Sequence, residues 1–151
     1  NIPIKLSDEP QTSDEEIVMN CINSFYGVMH LAGRLNNLND EQKTLLKEGV
    51  NYYRSLIKIK SFALPVMPDG FTAYGAKEVC FGLSTDEKLY LFIYNLSDGD
   101  AVLERDLNKY GVKSARIAFP EYAKNQTALK NGVLTVNMLP KSARVVELLK
   151  K

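Results

Sequence analysis

His30, Arg34 and Asn36 stand close together in the stretch His30-Leu31-Ala32-Gly33-Arg34-Leu35-Asn36, which runs from apolar into polar residues. A guanidinium offers five N–H donors, and an asparagine amide offers both donors and an acceptor. Arg34 and Asn36 can therefore hold the hydroxyls of a sugar. His30 is the single histidine. It reads as a hydroxyl ligand or as a packed side chain bonded to backbone, and the second reading is preferred. Acid–base work needs titratable side chains held in position. Asp8, Glu9, Asp14, Glu15 and Glu16 fall early in the chain. The last three follow Ser13 and are better explained as the acidic first turn of a helix. With one histidine and no paired Cys/His spacing, no metal site is expected, and no cofactor is implied. Cys21 and Cys80 read as two buried thiols rather than a redox pair.

The elements around that stretch follow from spacing. Ser13-Asp14-Glu15-Glu16 fits a capping box, and Val18, Ile22, Phe25 and Met29 recur at helical intervals. Val28–Ala32 is a short continuous apolar run, as in a buried parallel strand. Gly33 and the Asn-rich residues after it form a loop. Asn39-Asp40-Glu41-Gln42 starts a second helix, with Leu46, Val50, Tyr53 and Ile57 on one face. Gly49 inside it permits close packing at a cost of about 1 kcal/mol in propensity. Helix, strand, loop, helix is the repeat of an α/β barrel, whose active sites lie in the loops that follow the strands. That places Arg34 and Asn36 where a barrel binds substrate. Residues 1–11 read as an extended lead-in. With no strand partner evident for Val28–Ala32, two outcomes are expected: the chain self-associates, or this run extends the first helix.

After Ser61 the helical period stops. Strands are expected near Phe62–Val66, Phe71–Tyr74, Val79–Leu83, Lys88–Asn95, Val102–Asp106, Ser114–Phe119, Gln126–Leu129, Val133–Asn137 and Ala143–Leu149, separated by turn residues. Asn131-Gly132 is a two-residue hairpin signal. The fold class is α+β: an N-terminal helical segment over 1–61, a remnant of a barrel βα unit, then an antiparallel β-sandwich over 62–151. Tyr90, Phe92 and Tyr94 share one face of the most apolar strand. They read as sandwich core in preference to a sugar-stacking platform.

The 151 residues carry a net charge of +1 and are 45% hydrophobic. Nothing there calls for nucleic acid as a partner, and no apolar run is long enough for a membrane span. The start, NIPIKLSDEPQ, lacks the apolar segment of a signal peptide, so a cytoplasmic location is expected. The chain reads as part of something longer. Asn95-Leu96-Ser97 and Asn125-Gln126-Thr127 match a glycosylation pattern that is too short to weigh.

Several segments together resemble glycoside hydrolase family 36, the melibiase-like α-galactosidases. They are Thr12–Glu16, Asn23-Ser24-Phe25-Tyr26-Gly27, His30–Leu35 and Leu38–Gln42, followed by Phe81-Gly82-Leu83, Tyr94-Asn95-Leu96, Gly111–Ser114 and Leu139–Arg144. The resemblance implies the last βα unit of a barrel and its C-terminal sandwich. It also implies retaining hydrolysis by two carboxylates on earlier barrel strands, outside this chain; Asp8, Glu9, Asp14, Glu15 and Glu16 match neither motif, so no residue here is assigned a catalytic role and the chain alone is expected to be inactive. The implied partners are the remainder of the barrel, or another copy of the chain, and a carbohydrate substrate in the full enzyme. A non-catalytic carbohydrate-binding module and a purely structural domain are the competing readings.

Overall fold

The computed structural model describes residues 2–5, 12–33 and 35–151. Strand β1 (Ile2–Lys5) leads to helix α1 (Asp14–Phe25), strand β2 (Met29–Ala32), a 3-10 turn at Leu35–Asn37, and helix α2 (Asp40–Lys60). The remaining strands are β3 (Leu64–Val66), β4 (Glu78–Ser84), β5 (Lys88–Asn95), β6 (Ala101–Asp106), β7 (Val112–Phe119), β8 (Thr127–Lys130), β9 (Val133–Met138) and β10 (Ser142–Lys150). This is the expected α+β order of helices followed by antiparallel sheets.

Local chemistry sets the helix boundaries. Ser13 Oγ accepts from the Glu16 N–H at 3.1 Å, capping α1. Asn39 Oδ1 accepts from the Gln42 N–H at 2.8 Å, and Gln42 Oε1 accepts from the Asn39 N–H at 3.3 Å, a complete capping box for α2. Gln42 Nε2 also donates to the Thr12 carbonyl at 2.6 Å, which ties the starts of the two helices together. Gly49 is the contact point between them. A Cβ there would lie 2.8 Å from Cys21 Sγ and 3.2 Å from Phe119 Cζ.

Two expectations about the N-terminal third are corrected. Met29–Ala32 does not extend α1. It is a strand, and it has a partner within the chain: β1 pairs with it in parallel, Ile2 opposite Met29 through Lys5 opposite Ala32. Parallel strands need a long crossover, and α1 supplies it. The lead-in therefore contains a strand. The alternation Ile2-Pro3-Ile4-Lys5 was its only sequence signal, and Pro3 masks that signal because proline is rare inside sheets.

Two antiparallel sheets follow, one ordered β3-β4-β5-β10-β7 and the other β6-β9-β8. The central strand β5 is flanked by β4 and β10 and is buried along nearly its whole length. Its alternate side chains serve two different cores. Leu89, Leu91 and Ile93 join Leu103, Leu134, Val136, Met138, Val146 and Leu148 between the two sheets. Tyr90, Phe92 and Tyr94 face the other way and pack with Ile17, Val18, Ile22 and Phe25 of α1 and Leu56 of α2. The molecule thus has three layers: helices, five-stranded sheet and three-stranded sheet. The aromatic row is core, but it lies under the helices rather than between the sheets.

Asn131 and Gly132 take positive φ (51° and 78°) in the β8–β9 hairpin, as a two-residue turn requires. Phe71–Tyr74 is not a strand. Phe71 and Tyr74 are fully exposed in the β3–β4 connection, where Gly70 and Gly75 take left-handed φ and break any extended run. Among the described residues, no helix is long and apolar enough to cross a membrane.

Candidate functional site

Strand β2 and the loop that follows it are tied to α2 at both ends. At the start of β2, the Tyr53 hydroxyl accepts from the Met29 N–H at 3.2 Å and donates to the Gly27 carbonyl at 3.3 Å. Lys60 Nζ donates to the same carbonyl at 2.6 Å and lies 4.6 Å from the Tyr53 ring centroid. Burial pulls the Lys60 ammonium below its usual range. The far end of the loop is fixed by the α2 capping box. Gly33, at φ 117°, lets the chain turn out of β2.

Side chains alternate along β2. Met29 packs into the helical core, and Leu31 faces α2 across a surface groove. His30 therefore points to the other side of the strand, away from the helices, and is exposed. The preferred reading of His30 as a packed side chain does not hold. In a barrel, the face of a strand turned away from the helices is the face turned to the lumen. Asn36 is exposed and lines the groove of about 590 Å³ on the α2 side, together with Leu31, Leu35, Leu46, Val50 and Arg54. Arg34 lies outside the described residues. Asn36 and His30 thus sit on different sides of β2.

Of the early carboxylates, Asp8 and Glu9 lie outside the described residues, and those of Asp14 and Glu15 are occupied in holding the fold. Asp14 Oδ1 accepts from Gln42 Nε2 at 3.2 Å. Glu15 receives two bonds from Arg144, Nη1 at 2.7 Å and Nη2 at 2.9 Å, and one from the Tyr122 hydroxyl at 2.8 Å. Arg144 is completely buried and also donates Nε–H to Gln126 Oε1 at 3.0 Å. Sequence spacing gave no sign of this pairing, because its members are far apart in the chain. A second set surrounds Glu147. It accepts from Tyr52 at 3.0 Å, Arg116 at 2.8 Å and Lys88 at 3.4 Å. Burial pushes the Glu147 carboxyl up, but the bond and charge of Arg116, with Lys88 and Tyr52, outweigh it. The group lies below its ordinary range. Burial pushes the Cys21 and Cys80 thiols up to about 12, so both are inert. Among the described residues, no group of three or more His, Cys, Asp or Glu side chains is arranged to hold a metal ion.

No family model matches the chain, and no curated protein sequence matches it. Solved structures do. α-Galactosidase I from Mortierella vinacea aligns over 99% of this chain and 38% of its own, at 13% identity and TM-score 0.66. A GH27 β-L-arabinopyranosidase from Geobacillus stearothermophilus aligns over 97% of this chain and 36% of its own, at 15% identity and TM-score 0.62. The α-amylase of Geobacillus thermoleovorans aligns over 95% and 34%, at 8% identity and TM-score 0.66. The likeness is one of fold, shared with glycoside hydrolases that include α-galactosidases. This chain spans between a third and two-fifths of the length of those proteins.

Proposed function

We propose that this chain is the C-terminal portion of an α-galactosidase-like glycosidase of the family 27 and family 36 kind. In this reading β1, α1, β2 and α2 close a (β/α)8 barrel, and the sandwich braces the helices from outside. The complete enzyme removes terminal α-galactosides with retention. Its nucleophile and its general acid/base are two carboxylates on barrel strands outside this chain. The chain itself contributes residues to the substrate side: Arg34 in the loop after β2 and His30 on the strand face turned away from the helices, whereas Asn36 lines the groove on the α2 side. Its partners are the remainder of the barrel, or a second copy of the chain covering the same surface. A cytoplasmic location fits two free, buried thiols.

One observation carries the reading. The parallel β1–α1–β2 unit and the sandwich packed on its helices form one three-layer body, and glycoside hydrolases match that body nearly end to end. The burial of Tyr90, Phe92 and Tyr94 under the helices speaks against the competing reading of these residues as a sugar-stacking platform. The test is hydrolysis of p-nitrophenyl α-galactoside. The chain alone is expected to show no turnover above buffer. The reading frame extended through a whole barrel is expected to turn over, with loss on Arg34→Ala or His30→Ala. Turnover by the purified chain alone, or an inert barrel-complete protein, overturns the proposal.

A further inference from the structure

At the opposite end of α2 from the barrel loop, a cleft of about 660 Å³ opens between the helix C-terminus and the β4–β5 turn. One wall is apolar: Ile59, Phe62 and Leu64, with Phe62 63% and Leu64 70% exposed. The other wall is polar. Asp86 and Glu87 come from the turn, and Lys88, Tyr90 and Lys150 from the flanking strands.

The polar wall is rigid. Thr85 closes the turn, its N–H donating to the Lys88 carbonyl at 2.8 Å and its Oγ1 accepting from the Lys88 N–H at 3.1 Å. Lys150 Nζ is fixed by Ser84 Oγ and the Thr85 carbonyl, both at 2.6 Å. The Lys150 N–H donates to the Glu87 carbonyl at 2.9 Å. Lys88 is drawn to Glu147. The carboxylates of Asp86 and Glu87 hold no ion pair among the described residues. The rim thus carries two ammonium groups, two carboxylates without ion pairs and a phenol.

These walls select a class of ligand. An anion meets Asp86 and Glu87, and a cation meets Lys88 and Lys150. A neutral polyol can donate to the carboxylates and accept from the amines, and a sugar ring also has an apolar face for Phe62. We infer that this cleft is a non-catalytic binding site for a neutral oligosaccharide, separate from the barrel loop. The choice of sugar over other neutral polyols rests on the glycosidase reading.

The test is a titration of the isotope-labelled chain with stachyose and, separately, maltotriose, followed by amide chemical shifts. Saturable shifts at Phe62, Thr85, Glu87 and Tyr90 are expected with at least one of them. Phe62→Ala and Glu87→Gln should each weaken binding about tenfold or more. Both side chains are exposed, so melting temperature should not move, and the melt is recorded for each variant. Absence of saturable shifts at the cleft, or shifts that persist at full affinity in both variants, overturns the site. Hydrolysis by the barrel-complete protein is read separately. A silent cleft with hydrolysis intact removes only the cleft, and a titrating cleft in an inert barrel-complete protein removes the glycosidase reading.

Discussion

Glu15 and Arg144 lie at opposite ends of the sequence and join the helical layer to the sandwich, so cutting the pair should loosen that junction. Arg144 is fully buried, whereas the Glu15 side chain retains 18% of its exposure. The two truncations are therefore unequal. Glu15→Ala leaves a buried guanidinium without its counter-charge, a defect that costs about 3–5 kcal/mol. Gln126 Oε1, the Ala143 carbonyl at 2.7 Å and the Tyr122 ring at 5.6 Å still hold the cation. The expected loss is therefore at the lower end, about 3 kcal/mol. Arg144→Met leaves a carboxylate that can reach water and still accepts from Tyr122. Its expected loss is about 1–2 kcal/mol, the range for a broken charged hydrogen bond. The double variant should lose less than the sum, with a coupling of about 1–2 kcal/mol. For a chain of this length, about 3 kcal/mol lowers the melting temperature by about 6–12 °C. Urea unfolding at neutral pH gives the free energies, and thermal melts check them. A loss below about 1 kcal/mol for Glu15→Ala, or a larger loss for Arg144→Met, would refute the claim that the buried cation depends on Glu15.

Phe92→Ala should destabilise the chain by about 3–5 kcal/mol, since Phe92 is fully buried against Phe25, Tyr26 and Phe81 at centroid distances of 6.4, 6.4 and 5.6 Å; a melt matching wild type would remove it from the core. Gly49→Ala should lose about 1–3 kcal/mol to overpacking despite better helix propensity, and Cys21→Ala in the same chain should restore part of it. Equal or higher stability for Gly49→Ala alone would mean that Cys21 and Phe119 yield. Glu147 has a depressed folded pKa, so its contribution is complete above its unfolded value of about 4.3 and disappears as pH falls through the folded value. The stability gap between wild type and Glu147→Gln should therefore be full at neutral pH and closed in strong acid, and urea titrations at the two ends decide it.

Elements with a local chemical signature were legible in the sequence. The two capped helices, the β8–β9 hairpin and β5 stand where Ser13, Asn39, Asn131-Gly132 and Lys88–Asn95 put them. Features decided by distant partners were not. β1 is four residues with a proline, and only its pairing with Met29–Ala32 makes it a strand. Phe71–Tyr74 has strand composition, but the flanking glycines turn it out to solvent. The direction of the β5 aromatics depends on which layer covers that face, and alternation alone could not say. The candidate site was legible as a loop after a strand. That His30 faces away from the helices, and that Asn36 lies on the other side of β2, follows from the pairing of β2.

The break in periodicity at Ser61 marks a change of architecture but not a break in the core. Phe119, Val145, Tyr90, Phe92 and Tyr94 of the sandwich share one cluster with Ile17, Val18, Cys21, Ile22 and Phe25 of α1. Phe25 alone touches Tyr52, Tyr53, Phe92 and Phe119, reaching both α2 and two strands of the sheet. Without α1 and α2, the five-stranded sheet would show this apolar face to water. Without the sheet, the helices would keep only each other and a two-stranded parallel ribbon. The sandwich therefore fixes where α1 and α2 lie, the helices fix β2 through Tyr53 and Lys60, and β2 sets where the loop carrying Asn36 begins. A change at Phe92 or Arg144, far from that loop, should reach it through this chain of contacts.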